Sequence, residues 1–329
     1  MTVMTASDRL TALEVLNRTG GKTEDARRII EIMRETNEIL YDAPTTEAND
    51  GTVNTTLVRT ALPKAEHRIY NNGVGESASQ TDLSHDYSCE VAAWSKIDEM
   101  LVRNSSNPQE LLMTESQSFI EGMGLEQATD IIYGNHAADE AYMNGLAVRR
   151  SKTDGEYCID MGGASSKSGA LTSLYLIKWG LDKIHMFYPR GAKGIGVERF
   201  DHGIERIEGE NGKDMRAFVN YFRAQYGLSV RNEKSVIRFC NIDLDTINAE
   251  TLIYALIRNR TKLPQGSGTI SIVAGADVLA MMDEAAAKKG NVCYTATDPF
   301  GKQLTMIRDM RFRQMDAILT TEDYVPQAA

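Results

Sequence analysis

Several short patterns in this 329-residue chain carry residue types that do chemistry, and their spacing decides what each can do. Gly21-Lys22-Thr23 stands before a helix-forming stretch, as the end of a phosphate-binding loop would. That loop needs a glycine five residues before Gly21 and a hydrophobic strand ahead of it. The position holds Leu16 and no such strand precedes it, so a turn and a helix cap are expected. Gly162-Gly163-Ala164-Ser165-Ser166-Lys167-Ser168-Gly169 has residues small enough to cradle an anion on backbone amides. It matches neither nucleotide-binding spacing, and a flexible loop is expected. Gly191, Gly194 and Gly196 fall at offsets 0, 3 and 5, whereas the dinucleotide fingerprint needs 0, 2 and 5. Asn241, Asp243 and Asp245 alternate like the first ligands of a calcium loop. Thr246 then stands where glycine is required and Leu252 where a bidentate glutamate is required. A strand end followed by a helix cap is expected there. His85-Asp86 and Asp201-His202 are acid–base pairs with no nucleophile brought to them, so solvated side chains are expected. No HExxH, GxSxG or CxxC occurs. The reading assigns no catalytic, cofactor-binding or metal-ligating residue and no enzymatic role.

The composition narrows the classes further. The chain carries 46 acidic and 36 basic residues, a net charge of −10. Nucleic-acid binders need local positive charge against phosphates, so a general nucleic-acid binder is not expected. Forty-two per cent apolar content is ample for a core, and the length suggests two domains or one with large insertions. No run of 18 apolar residues exists and no membrane association is expected. The N-terminus lacks the charged-then-apolar signal pattern. Cys89, Cys158, Cys240 and Cys293 are widely spaced and read as free buried thiols.

The element that must position everything else is a helix between Asn107 and Asn135. Asn107 can cap its first turn, Pro108 costs nothing at the first helical position, and Glu110 falls where a capping-box acid belongs. Gly134-Asn135 supplies the stop. Leu111, Leu112, Phe119, Ile120, Met123, Ala128, Ile131 and Ile132 predict one apolar side. At 1.5 Å per residue the rod is about 39 Å long, twice the mean helix or more. Gly122 and Gly124 suggest a bend or a close backbone approach. Upstream, a helix capped by Thr23 is expected to reach Leu40. Residues 41–83 are polar, and Thr55–Ala61 is expected to pair with His67–Tyr70 as a two-stranded hairpin with little core. Tyr87–Ile97 reads as a strand.

Downstream, strands are expected at Leu171–Trp179, Lys183–Tyr188, Met215–Tyr226 and Leu228–Ile242, the last two antiparallel about Gly227. A helix follows at Asn248–Arg260, then strand Thr269–Val273 and helix Ala276–Lys289. Short strands near Val292–Thr297, Gln303–Ile307, Met310–Arg313 and Met315–Leu319 complete an α+β pattern.

Longer strings go beyond these patterns. TEDARRIIEIMRETNEILYDAP at 23–44, EANDGTVNTTLVRTALPKAEHRIYNNGVG at 47–75, FIEGMGLEQATDIIYGN at 119–135, LYLIKWGLDKIHMFYPRGAKGIGVERF at 174–200, GLSVRNEKSVIRFCNID at 227–243 and RFRQMDAILTTED at 311–323 span most of the chain. In these stretches it resembles the major capsid proteins of short-tailed, podovirus-type bacteriophages, which have the Hong Kong 97-like capsid fold. The resemblance implies an N-terminal arm (1–45), an extended hairpin loop (46–85) and a peripheral domain (86–150) with its spine helix at 108–133. It also implies a strand-rich segment (151–245) shared between peripheral and axial domains, and axial-domain helices with C-terminal strands (246–329). In the commonest form of the fold the axial helical unit precedes the long strands, whereas here the strands come first.

The implied function is a self-assembling structural subunit of an icosahedral virion shell enclosing double-stranded DNA. The implied partners are other copies in hexameric and pentameric capsomers, with portal and scaffold or cement proteins. Assembly in the host bacterial cytoplasm would follow. The reading from a different class is a cytosolic α/β enzyme using a glycine-rich anion-binding loop.

Overall fold

The computed structural model describes residues 39–192, 194–209, 212–289, 296–297, 303–304 and 306–327. The Gly21-Lys22-Thr23 turn, nearly all of the N-terminal arm and of the helix expected from Thr23, and Cys293 lie outside the described residues. The described residues form two compact units, one within 90–127 and 196–225, the other within 39–89, 128–195 and 226–327. Three elements are long: β3 (Gln80–Asp98), α3 (Pro108–Tyr133) and β8 (Asp214–Val230).

The long helix is α3, over the expected bounds. Its start is a capping box closed through side chains. Asn107 Oδ1 accepts the Glu110 N–H at 3.4 Å, and Asn107 Nδ2 donates to the Glu110 carboxylate at 3.0 Å. The Gly134 N–H closes the far end on Asp130 at 3.0 Å. The one-sided apolar stripe is only partly realised. Leu111, Met123, Ala128, Ile131 and Ile132 are buried, but Ile120 is 43% exposed while Ser116, Gln127 and Asp130 are buried. Nothing lies within 4 Å of where a Gly122 Cβ would stand, so no neighbour requires that glycine.

In the first unit, α2 (Glu99–Asn104) and the opening of α3 bury Ile97, Val102 and Leu111, with Phe218 of β8 against them. Phe119 stacks on Phe222 with ring centres 5.3 Å apart. β7 (Glu198–Glu208) pairs antiparallel with β8 from Glu198↔Arg223 to Glu208↔Asp214. This strand was not expected. Its sequence ERFDHGIERIE is almost wholly polar and exposed, so it carries no apolar period to betray it.

The second unit holds α1 (Ile39–Asp42), β1 (Thr45–Glu47), β2 (Val53–Ala61) and α4 (Leu146–Arg149). β4 (Cys158–Asp160), β5 (Thr172–Lys178), β6 (Ile184–Tyr188) and β9 (Val236–Ile242) follow. Then come α5 (Ala249–Asn259), β10 (Ile270–Ala274), α6 (Ala276–Lys289) and the short strands β11 (Ala296–Thr297), β12 (Gln303–Leu304), β13 (Met306–Ile307) and β14 (Met310–Gln314). One sheet runs β13-β14-β10-β5-β9-β4, and another runs β1-β6-β8-β3-β2 with β7 beside β8. Every residue of β5, β9 and β10 is buried. Strands covered on both faces read as apolar runs, which is why β5 and β10 were legible. β9 was expected as the end of a longer strand Leu228–Ile242 beside Met215–Tyr226, and it pairs instead with β5 and β4. Leu252 and Leu256 of α5 and Val278 and Met282 of α6 share one core with Leu174, Leu176, Ile237 and Phe239. Asn248 caps α5 by accepting the Glu250 N–H at 3.0 Å.

Three expected boundaries are corrected. β8 continues through Gly227 to Val230 instead of turning there. That glycine exists for a close approach, since a Cβ would run into the Phe187 ring. Residues 315–319 form a turn in which the Ile318 N–H bonds the Met315 carbonyl at 3.2 Å, not a strand. β2 pairs with Gln80–Tyr87 of β3, not with His67–Tyr70.

A buried carboxylate fastens the C-terminal segment. Glu322 accepts from Tyr133 Oη and Ser173 Oγ at 2.5 Å each and from Arg238 at 2.9 Å. Burial first, then the Glu322 charge, holds the Tyr133 phenol protonated far above its usual range. Glu322→Ala leaves Arg238 buried without its counter-charge and should cost about 3–5 kcal/mol, against about 1 kcal/mol for Tyr133→Phe. Urea unfolding of the purified chain measures both, and equal losses would show that the ion pair is not the stronger part. Ile131→Asp, an unpaired charge at a position with no exposed surface, should prevent folding altogether.

Candidate assembly surfaces

The β2–β3 hairpin is firm at its base and bare at its end. At the base, Asn54 is buried and its Nδ2 donates to Ser229 Oγ at 2.8 Å, with His185 Nε2 at 3.4 Å. Asp86, across the ladder from Asn54, is buried too. It accepts Arg149 at 2.5 Å and the Val230 N–H at 3.2 Å. The expectation of a solvated His85-Asp86 pair is therefore wrong for Asp86. His85 stays on the exposed face, its Nδ1 3.1 Å from Thr55 Oγ1.

Beyond Ala61 and Gln80 the ladder ends and residues 62–79 form a long loop with one tight turn, the Asn72 N–H bonding the Ile69 carbonyl at 3.1 Å. Large apolar side chains stand in solvent along this arm. Leu57 faces Leu83 across the ladder, both exposed. Leu62, Ile69 and Val74 follow in the loop, and Tyr70 is 95% exposed. Monomeric proteins rarely gather apolar surface in this way unless it is meant to be covered.

The first unit presents a second such surface on the ladder of β7 and β8. Trp94 is 52% exposed and lies 4.5 Å from Tyr221 and 5.5 Å from His202, centre to centre. Phe200 stands opposite Tyr221, and the Arg223 guanidinium sits 5.2 Å over its ring. Arg223 also pairs with Glu198 at 3.0 Å. The sequence reading missed this cluster because its members come from three strands and one of those strands was missed.

Two of the patterns flagged for chemistry hold the fold together. Gly163 lies against the Asn241 carbonyl, where a Cβ would clash, and its N–H bonds that oxygen at 2.9 Å. The Gly162–Gly169 loop is thus fixed on β9. Among Asn241, Asp243 and Asp245 the cation present is the Lys167 ammonium, 2.7 Å from Asp243 and 3.4 Å from Asp245. Its hydrogen bond, with one from Thr246, draws the Asp243 carboxyl below its usual range. Asp201 accepts the Gly203 N–H at 2.8 Å, and His202 stands 3.6 Å from Glu205. Cys89, Cys158 and Cys240 are free and buried, and the Cys158 and Cys240 sulfurs are 3.8 Å apart although the residues are 82 positions apart in sequence.

The hairpin base titrates. Burial, followed by the nearby Arg231 charge, pushes the His185 imidazole down to about 4, and its Nδ1 has no hydrogen-bond partner among the described residues. The folded state therefore keeps His185 neutral while the unfolded chain binds a proton near pH 6.5. Stability from this residue is complete above about pH 6.5 and is lost as pH falls toward 4. Between pH 7 and 5 the chain should lose about 2 kcal/mol through it, and His185→Gln should lose correspondingly less. Urea midpoints at the two pH values decide it, and parallel losses would contradict the assignment.

Comparison with known proteins agrees with this arrangement. Residues 21–326 match the model of a family described as major capsid protein GP7. A chain of the near-atomic cryo-EM structure of bacteriophage Epsilon15 is 24% identical, with a TM-score of 0.75, over 99% of this chain and 100% of that one. A chain of the bacteriophage JBD30 capsid is 9% identical with a TM-score of 0.51, over 96% of this chain and 99% of that one. At these identities the two structures speak for the fold alone. No curated protein matches the chain. The family match over nearly the whole length, joined to a fold of the Hong Kong 97-like kind and to an apolar arm left bare by a single copy, leads to one conclusion: this chain belongs to the GP7 family of major capsid proteins and is a structural capsid subunit.

Proposed function

We propose that the chain assembles into hexameric and pentameric capsomers of an icosahedral shell, and that the hairpin of each copy lies across an adjacent copy. The observation that carries the proposal is the run of exposed apolar side chains on the arm, Leu57, Leu62, Ile69, Tyr70, Val74 and Leu83. Burying a large apolar side chain is worth about 1.5–3 kcal/mol, so these six together offer on the order of 10 kcal/mol per copy. That is comparable to the whole stability of an ordinary domain. An isolated hairpin cannot recover it, because its two strands have no third layer to pack on. A neighbouring copy supplies that layer.

The same proposal assigns the chain no catalytic step. It places the protein in the virion, enclosing double-stranded DNA, after assembly in the host bacterial cytoplasm. Portal and scaffold or cement proteins complete the set of partners. A net charge of −10 suits an enclosing wall that does not grip the packaged genome. Within the copy, the hairpin loop proposed for 46–85 has its free part at 62–79, the peripheral domain is placed at 86–150 and the axial helices and strands at 246–329.

Electron microscopy and light scattering of the purified chain, with and without its loop, test this. Replacing 62–79 by a two-residue turn removes no buried side chain, so the variant should fold as the parent does. It should remain as free subunits or isolated capsomers under conditions where the parent forms shells. Normal shells from the shortened chain would refute the role given to the arm.

A further inference from the structure

Buried Asp86, Arg238, Asp243 and Glu322 of the second unit have partners of opposite sign, but two lysines do not. Lys178, at the end of β5, is 7% exposed, and Lys183, before β6, is 9% exposed. Neither forms an ion pair among the described residues. Lys178 Nζ donates to the Pro264 and Gly266 carbonyls at 2.9 Å each, and Lys183 Nζ donates to the Ser267 carbonyl. The loop that offers these oxygens is shaped for it. Gly266 and Gly268 both have positive φ, at 102° and 135°, and a Cβ on Gly268 would collide with the Trp179 carbonyl. Carbonyls satisfy the N–H donors but bring no counter-charge, and buried cations are ordinarily matched by one. The neighbouring Asp309 acts on Lys178 without forming an ion pair with it, because Arg260 holds that carboxylate with two hydrogen bonds. The group of Lys178, Lys183, Arg260 and Asp309 thus carries two positive charges in excess, inside a chain whose net charge is −10.

A pocket of about 400 Å³ opens on this excess, lined by Lys178, Arg260, Gln265, Gly266 and Asp309 among others. Burial, then the Lys183 charge, draws the Lys178 ammonium below its usual range against the opposing charge of Asp309. The geometry points to an anion site in this pocket that takes a phosphate-type oxyanion, held by the ammonium of Lys178 with the Arg260 guanidinium at its rim. Lys178 has a third N–H to give beyond its two carbonyls, and Arg has donors beyond the pair on Asp309. The site is independent of the shell function and would exist in an unassembled copy.

Equilibrium dialysis of the purified full-length chain against radiolabelled inorganic phosphate, in chloride at constant ionic strength, tests it. The chain should bind one phosphate saturably, and Lys178→Met should weaken binding by about tenfold or more, the loss of one charge-assisted contact in a desolvated site. If circular dichroism shows that Lys178→Met is unfolded, Arg260→Gln decides by the same criterion. No saturable binding by the parent chain, or undiminished binding by the folded variant, overturns the assignment.

Discussion

The structure depends on a sheet that is dry on both faces. β5, β9 and β10 bury every side chain they carry, with α5 and α6 contributing to the same core. In such strands a buried charge is costly unless it is paired. Arg238, in the middle of β9, is answered by Glu322, which also takes Ser173 from β5 and Tyr133 from the end of the long helix. One carboxylate thereby ties two strands, a helix end and the C-terminal segment. A similar device fixes the beginning of the described chain. Asp42 receives Arg313 at 2.7 and 3.0 Å and Ser271 at 2.7 Å. Burial alone would raise the Asp42 carboxyl, but the Arg313 and Ser271 hydrogen bonds and the arginine charges outweigh it and hold the group below its usual range.

Against that satisfied core, the hairpin stands out by contrast. Its base obeys the same rule, with Asn54 and Asp86 buried and bonded. Its far part breaks it, because side chains as large as Tyr70 and Ile69 have nothing to lie on. A monomeric protein rarely leaves apolar surface of this kind bare without use. Assembly is the use that a capsid family provides, and on the proposed reading the arm is ordered by the shell and not by the subunit.

The legible parts of the fold were those whose signal is local. The long helix announced itself through Asn107, Pro108, Glu110 and Gly134, and β5, β10, α5 and α6 through apolar runs and caps. What failed required knowledge of partners. β7 is polar because one copy exposes it, so no periodicity marks it. Gly227 looked like a turn, but its reason is the Phe187 ring on another strand. His67–Tyr70 looked like a strand, yet the pairing partner of β2 lies at Gln80–Tyr87, beyond a loop too long for turn chemistry to set the register. The function lay in the long family-specific strings. Of the short chemical patterns, Gly163 became a packing contact and Lys167 stands where a metal ligand set would have needed a cation. The aromatic cluster around Trp94 was invisible for the same reason as β7.

The central claim is that another copy covers the arm, and amide hydrogen exchange reads that directly. Exchange should be followed by mass spectrometry in free subunits and in assembled shells, comparing peptides from 62–79 with peptides from β5 and β9. The account predicts fast exchange of the loop in free subunits and slowing by at least about tenfold in shells, while β5 and β9 stay protected in both. A loop that exchanges equally fast in both states would mean that assembly leaves it bare, and the account would be wrong.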